Sequence, residues 1–280
     1  MLPLISFERN VTSQNGEDGI LCEVFRRLGE KNRHCVEFGA WDGKYLSNTW
    51  SLWAEHGWKA LLIEGCPEKF KVLQDGTHGN ANVSAVCRFV ESQGGNSLEQ
   101  IAREHGWPND TDLLSIDIDG DDLLLFSSLQ TFFPRVVVIE YNPTIPPEIL
   151  FQQPHGFKIG SSARSVMAVA AKKGYRLAHI TKTNLILVHS SEFDKLGISE
   201  PSLAACFPSD HLTYLIMGYD GAAFCSRVKL PFHPVGLRAS LWRNLRIFAR
   251  GVKALLKRRR VALSESYGLT PVDVTRKFDA

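Results

Sequence analysis

The residues best suited to chemistry begin with two carboxylates and two glycines. Glu37 lies in Cys35-Val36-Glu37-Phe38-Gly39-Ala40-Trp41-Asp42-Gly43, and Glu64 closes the apolar run Ala60-Leu61-Leu62-Ile63-Glu64-Gly65. Both runs read as short buried strands that end in glycine turns. In an open α/β sheet, ligands sit in the crevice beyond the carboxyl ends of the strands. Glu64 at a strand tip could accept both hydroxyls of a ribose. Gly39 would let the backbone approach a ligand, and Gly43 can take a positive φ without a Cβ clash. The spacing is E-x-G-x-x-x-G, not the G-x-G-x-x-G of a pyrophosphate site. It therefore predicts a nucleoside with a small charged tail, a description that S-adenosylmethionine fits, and it ranks a nicotinamide oxidoreductase last.

Five segments in order carry a more specific resemblance. They are Ser13-Gln14-Asn15-Gly16-Glu17-Asp18, Val36 to Gly43, Ser47-Asn48-Thr49, Leu114-Ser115-Ile116-Asp117-Ile118-Asp119-Gly120, and Val138-Ile139-Glu140-Tyr141-Asn142. Over roughly residues 10 to 190 the chain resembles the FkbM-type S-adenosylmethionine-dependent methyltransferases, which often act on sugars or glycans. The resemblance implies cofactor contacts at Glu37, Gly39, Asp42, Ser47, Asn48 and Glu64, with Gly43 freeing the turn. Ser47 and Asn48, near a helix start, would offer hydrogen bonds to the methionine carboxylate.

Asp117 and Asp119 leave an apolar strand, where alternation of side chains would put both on one side. Burying a carboxylate without a partner is costly, so both are expected at the crevice. Asp117, Glu140 and Asn142 would form an oxygen-rich cluster over two neighbouring strand tips, similar to the magnesium site of catechol-type O-methyltransferases. Such ligands suit Mg²⁺, which would hold vicinal hydroxyls and lower their pKa. Alternatively, Asp117 binds the amino group of the cofactor, or the two aspartates only cap the next helix. Asp121 and Asp122 are expected at that helix N-terminus. The catechol-type enzymes place a lysine base three residues after the first aspartate; here that position is Gly120. Asp119 and His155 are the replacement candidates for catalysis. His155 lies in the proline-rich loop Pro143 to Gly160, which is long enough to hold substrate.

These residues need a scaffold, and the hydrophobic pattern supplies one. Ile20, Leu21, Val24, Phe25 and Leu28 predict a helix over 15–29 closed by Gly29. Further helices are expected over 46–56, 67–74, 97–105 (with Ser97 as N-cap), 123–132 and 162–173. Strands are expected over 35–39, 60–64, 83–90, 113–117, 136–141, 175–180 and 185–189, the last two joined by Thr181 to Asn184 as a hairpin. Nearly all-apolar strands suit a parallel sheet covered on both faces. The fold class is α/β: a doubly wound, mostly parallel, seven-stranded Rossmann-like methyltransferase sheet with a terminal antiparallel hairpin.

Composition bounds the rest. The chain has 280 residues, 44% hydrophobic and 22% charged, with a formal net charge of +2. Residues 221–264 hold eleven Lys or Arg and no acid, so the remainder is acidic. The division expected is 1–190 as the cofactor-binding domain, 191–236 as an irregular extension, and 237–280 as a basic amphipathic helix and tail. Leu237, Leu241, Leu245, Phe248, Val252 and Leu255 form its apolar stripe, which could meet an anionic membrane surface, the body, or a second copy. Nucleic acid is not expected, because the arm lacks a stacking platform and the body is acidic. The six scattered cysteines show no C-x-x-C pair and read as buried, reduced thiols. The N-terminus does not read as a signal peptide and no run is long enough to span a membrane. A cytoplasmic protein is expected, peripheral at the inner membrane surface if the basic helix docks there. The leading expectation is O-methyl transfer to a sugar or glycan hydroxyl. Behind it stand a metal-dependent small-molecule O-methyltransferase and a non-catalytic binding protein that keeps the fold.

Overall fold

The computed structural model describes residues 2–220 and 223–225. The predicted basic helix over 237–260 lies outside the described residues, as do 237–280 altogether and part of the 191–236 extension. Within the body, strands β1 (His34–Phe38), β2 (Lys59–Glu64), β3 (Val83–Cys87), β4 (Leu113–Ile116), β5 (Val136–Glu140), β6 (Tyr175–Ile180) and β7 (Asn184–His189) make one sheet. Their order is β3-β2-β1-β4-β5-β7-β6. β1 to β5 pair in parallel, while β7 runs antiparallel to both β5 and β6. This is the doubly wound, mostly parallel seven-stranded sheet with a terminal antiparallel hairpin that the sequence predicts.

The helices are α1 (Glu17–Leu28), α2 (Trp50–Glu55), α3 (Pro67–Thr77), α4 (Leu98–Glu104), α5 (Asp122–Ser128) and α6 (Ala163–Lys172). Alternation along the strands sorts them onto two faces. Val36, Phe38, Leu61, Ile63, Leu114 and Ile116 pack against α4, α5 and α6 through Ile101, Phe126 and Val166. Cys35, Ala60, Leu62, Leu113 and Val138 pack against α1, α2 and α3 through Ile20, Leu52 and Leu73. Each fully buried aliphatic side chain contributes about 1.5–3 kcal/mol, so every central strand is anchored from both sides. Because α2 and α3 cover one face and α4 and α5 the other, chain direction reverses between β1 and β4. A crevice opens at such a switch point.

The two ends of the strands differ in chemistry. At the amino ends, buried Asp112 accepts the amides of Lys31, Asn32 and Arg33 and pairs with Arg135 at 2.6 Å. That carboxylate is saturated and structural. The carboxyl ends carry the candidate site.

Several boundaries differ from expectation. α2 begins at Trp50, not Leu46, because Ser47, Asn48 and Thr49 are drawn out of the helix to bind Glu37. β3 stops at Cys87, and α5 at Ser128. Ser97 and Ser162 cap α4 and α6, accepting the amides of Gln100 and Ser165. Past β7 the chain forms short helical turns at Ser190–Phe193 and Leu203–Cys206, then a small hairpin of Leu215–Met217 and Ala223–Cys225. The five cysteines whose side chains are described are free thiols, but only Cys35 is buried, and Cys22 and Cys87 are exposed. The expectation of generally buried thiols is corrected accordingly. Among the described residues no helix is long and apolar enough to cross a membrane.

Candidate active site at the carboxyl ends of the strands

Glu37, buried on β1, is hydrogen-bonded within the protein. One oxygen accepts the hydroxyls of Ser47 (2.6 Å) and Thr49 (2.7 Å), and the other accepts the Asn48 amide at 2.9 Å. Burial pushes its carboxyl up, while these three bonds pull it down. Ser47 Oγ also accepts the amides of Thr49 and Trp50 and so caps α2. Asn48 donates its side-chain amide to Ser115 Oγ at 3.1 Å. Glu37, Ser47 and Asn48, expected as cofactor contacts, are therefore committed to one another, and they fix the loop that borders the crevice.

Gly39 follows at φ +80°, with its amide bonded to Ile63 O at 3.0 Å. A Cβ here would lie 1.9 Å from the carbonyl oxygen of Asp117. The close approach predicted for Gly39 is thus to the chain itself, where β1 and β4 leave the sheet. Gly43, at φ +78°, would place a Cβ 2.8 Å from Leu73. Asp42 turns the loop by accepting the amides of Lys44 and Tyr45 through Oδ1. Trp41 and Leu46 hold left-handed φ of 46° and 58° although neither is glycine. Such conformations cost roughly 1–2 kcal/mol each and concentrate where a loop is preorganised.

Glu64 stands where the sequence places it, at the tip of β2. Its Oε2 accepts the Trp41 amide at 3.0 Å and its Oε1 the Cys66 amide at 2.8 Å. Each carboxylate oxygen has acceptor capacity for two hydrogen bonds. One position on each oxygen remains, which matches a pair of vicinal hydroxyls. Exposed Phe89, beyond β3, packs against Gly65 beside it.

The second group of carboxylates converges, though not by strand alternation. β4 stops at Ile116, and Asp119 sits in a turn at φ +57°. Buried Asp122 folds that turn, accepting the amides of Ile118 and Gly120 at 2.9 Å each. As a result, carboxylate oxygens of Asp117, Asp119 and Glu140 lie within 4.8 Å of one another. None of the three has a hydrogen-bond or ion-pair partner among the described residues, whereas Glu37, Glu64, Asp121 and Asp122 all do. Asn142 does not join them. Its Oδ1 accepts both the amide (2.8 Å) and the hydroxyl (2.6 Å) of Thr144, and its Nδ2 donates to Ile159 O at 2.6 Å. The cluster expected of Asp117, Glu140 and Asn142 is thus found as Asp117, Glu140 and Asp119, with Asn142 spent on shaping the following loop.

Desolvation, then the charges of Asp122 and Asp119, push Asp117 up to about 7. Desolvation and the charges of Asp117, Asp122 and Asp119 raise Glu140 well above its usual range. Asp122 is pushed up to about 6, mainly by burial. A carboxyl whose folded pKa is raised keeps its proton longer in the native than in the unfolded chain, so stability falls as pH rises between the two values. For Asp117 that window runs from about pH 4 to 7. The ligand-free protein is expected to melt progressively lower across it, and Asp117→Asn to flatten the decline. Thermal unfolding at a series of pH values checks this; parallel curves for the two proteins would remove Asp117 as a source of strain.

The loop Pro143 to Gly160 folds back onto the same turn. Buried Gln153 donates to Asp121 Oδ1 (2.9 Å) and Phe157 O (2.7 Å), and accepts the amides of Ile159 and Gly160. A Cβ on Gly120 would stand 2.7 Å from Phe157 O, which explains why no lysine occupies that position. His155 is held by Asp121, with Nδ1 2.8 Å from Oδ2, while its side chain remains 80% exposed. Asp121 precedes α5 as expected, but its carboxylate grips the loop, not the helix. Sequence reading also passed over Glu17 and Asp18. Glu17 accepts from Thr181 and Asn184, and Asp18 gathers the amides of Val11, Thr12 and Ser13. Their only signal was membership in the first segment of the family resemblance. They tie the amino-terminal segment to the sheet.

No family model and no curated protein matches the chain. Among solved structures it is similar to the N-terminal domain of EvdMO1 with SAH bound, at 14% identity and TM-score 0.43, over 64% of this chain and 82% of that one. It is also similar to a SAM-dependent methyltransferase from Aquifex aeolicus, at 14% identity and TM-score 0.38, over 66% and 94%. A third is the pyocyanin biosynthetic protein PhzM, at 18% identity and TM-score 0.38, over 60% of this chain and 53% of that one.

Proposed function

We propose that the chain is an S-adenosylmethionine-dependent O-methyltransferase acting on a hydroxyl of a sugar or glycan. One observation carries the reading: Asp117, Asp119 and Glu140, three carboxylates without partners among the described residues, converge beside the switch point of the sheet. Repelling charges at one place favour a cationic occupant. The donor has two cationic groups, an ammonium and a sulfonium. Glu64, with a free acceptor position on each oxygen, suits its ribose. The acceptor class rests on the family resemblance.

Methyl transfer is an in-line displacement, so the protein chiefly aligns donor and acceptor and takes a proton from the acceptor hydroxyl. Asp119 and His155 are the proton acceptors proposed, both borne by or held to the turn after β4. The loop over 153–160, clipped to that turn, would limit water around the transferring methyl.

A second reading follows from the same cluster. Hard carboxylate oxygens of Asp117, Asp119 and Glu140, with room for waters, fit Mg²⁺. When bound, the ion would supply a positive charge that acidifies a diol acceptor. Calorimetric titration with S-adenosylhomocysteine, with and without Mg²⁺, separates the two. Micromolar or tighter binding without metal, reduced in Asp117→Asn, is expected for the donor reading. Binding or methyl transfer abolished by exhaustive chelation would instead favour the metal. Failure to bind under either condition overturns the methyltransferase reading.

A further inference from the structure

The loop after β5 holds His155 in a fixed relation to the turn that carries Asp117 and Asp119. Three contacts set that relation. Asp121 Oδ2 meets His155 Nδ1 at 2.8 Å. The Gly156 amide donates to the same carboxylate, 3.1 Å from Oδ2. Gln153 Nε2 donates to Asp121 Oδ1 at 2.9 Å, and its own carbonyl holds the Ile159 and Gly160 amides. Two donors, the Gly156 amide and Gln153 Nε2, thereby orient the carboxylate besides the ring. Positive φ at Gly156 and Gly160, +79° and +77°, lets the loop close this tightly. A surface histidine in a mobile loop would need none of this.

A carboxylate accepts only from a protonated nitrogen. In the neutral ring Asp121 therefore places the hydrogen on Nδ1 and leaves the lone pair on Nε2. The ring is 80% exposed, so Nε2 is open to an incoming hydroxyl. Aspartate-held imidazole of this kind is the arrangement by which a histidine acts as a general base in a fixed tautomer. Asp119, the other proton acceptor proposed, lies two residues from Asp121 on the same turn.

We infer that His155 is the general base and Asp121 its positioning residue, an inference that rests on the O-methyltransferase reading. The acceptor O–H gives its proton to Nε2 of neutral His155. An oxygen lone pair forms the new O–CH₃ bond as the C–S⁺ bond of S-adenosylmethionine breaks. The electron pair of that bond goes to sulfur, and S-adenosylhomocysteine leaves as a neutral thioether. The imidazolium then returns its proton to solvent.

The test uses the full chain with S-adenosylmethionine as methyl donor, S-adenosylhomocysteine as the binding probe, and p-nitrophenyl glycosides as acceptor probes. Long-range ¹⁵N–¹H correlation spectra of the wild type should show neutral His155 protonated on Nδ1, a preference lost in Asp121→Asn. His155→Gln should lower the methyl-transfer rate by about 10²-fold or more, with S-adenosylhomocysteine affinity unchanged. Asp121→Asn should lower kcat with little effect on the donor KM, and Asp121→Glu should recover part of it. S-adenosylhomocysteine binding together with an Nε2-protonated His155, or with variant rates equal to wild type, overturns the pair and leaves the methyltransferase reading in place. Absence of S-adenosylhomocysteine binding by the wild type overturns both.

Discussion

Replacing Glu64 by alanine is expected to weaken S-adenosylhomocysteine binding by about 10- to 100-fold. A charge-assisted hydrogen bond contributes about 1.5–3 kcal/mol, and each 1.4 kcal/mol is about tenfold in affinity. Glu64 is the buried carboxylate at the β2 tip with one acceptor position left on each oxygen. The same side chain also holds the Trp41 and Cys66 amides, so part of any loss could come from a loosened loop. Glu64→Gln helps to separate the contributions, because it keeps an acceptor oxygen for one amide while removing the charge and turning the other oxygen into a donor. Calorimetry on both variants, with thermal unfolding as a check of the fold, is the measurement. Unchanged affinity in a folded Glu64→Ala protein would take Glu64 out of the donor site.

The largest effect on stability is expected at Gly39. Gly39→Ala must accept a positive φ, at roughly 1–2 kcal/mol. It must also move a Cβ away from a backbone carbonyl 1.9 Å distant. Overpacking of that kind costs typically 1–3 kcal/mol, and a carbonyl at the end of a central strand has little freedom to yield. A loss of about 2–5 kcal/mol is therefore predicted from the two effects together. Gly57→Ala is the matched control: φ is +70°, but no atom lies within 4 Å of its Cβ position. It should lose only the conformational part. Denaturant titrations of both proteins check the difference, and equal losses would show that the contact with Asp117 relaxes freely.

The two positions illustrate a wider contrast between tips and turns. Strand tips are set by local pattern. An apolar run of four to six residues that ends on an acid places that acid at the edge of the buried sheet, because the next residue must meet solvent or a ligand. Glu64 and Glu140 were legible for that reason. So were the covered strands, the helix caps at Ser97 and Ser162, and the hairpin that closes the sheet. What each polar side chain then does is a matter of which partner reaches it first. Glu37 and Glu64 look alike in sequence, each an acid near the end of a β-strand with a glycine one or two residues further on. In the folded chain Glu37 is saturated by Ser47, Asn48 and Thr49, which come from ten to twelve residues further on.

Turns after β4 and β5 were the least legible. A period-two extrapolation put Asp117 and Asp119 together for a reason that does not hold, since the strand ends at Ile116 and Asp119 is left-handed. Convergence comes instead from Asp122, whose carboxylate binds two amides of the turn. Asn142 reads equally well as a ligand or as a turn former, and only the position of Thr144 and Ile159 makes it the latter. Sequence by itself thus determined the sheet, its order of layers and the edge at which acids collect, because hydrophobic periodicity is a local property that burial enforces. Tertiary structure alone decided which acids are saturated and which face the crevice, because a hydrogen-bond partner many residues away leaves no trace in local spacing.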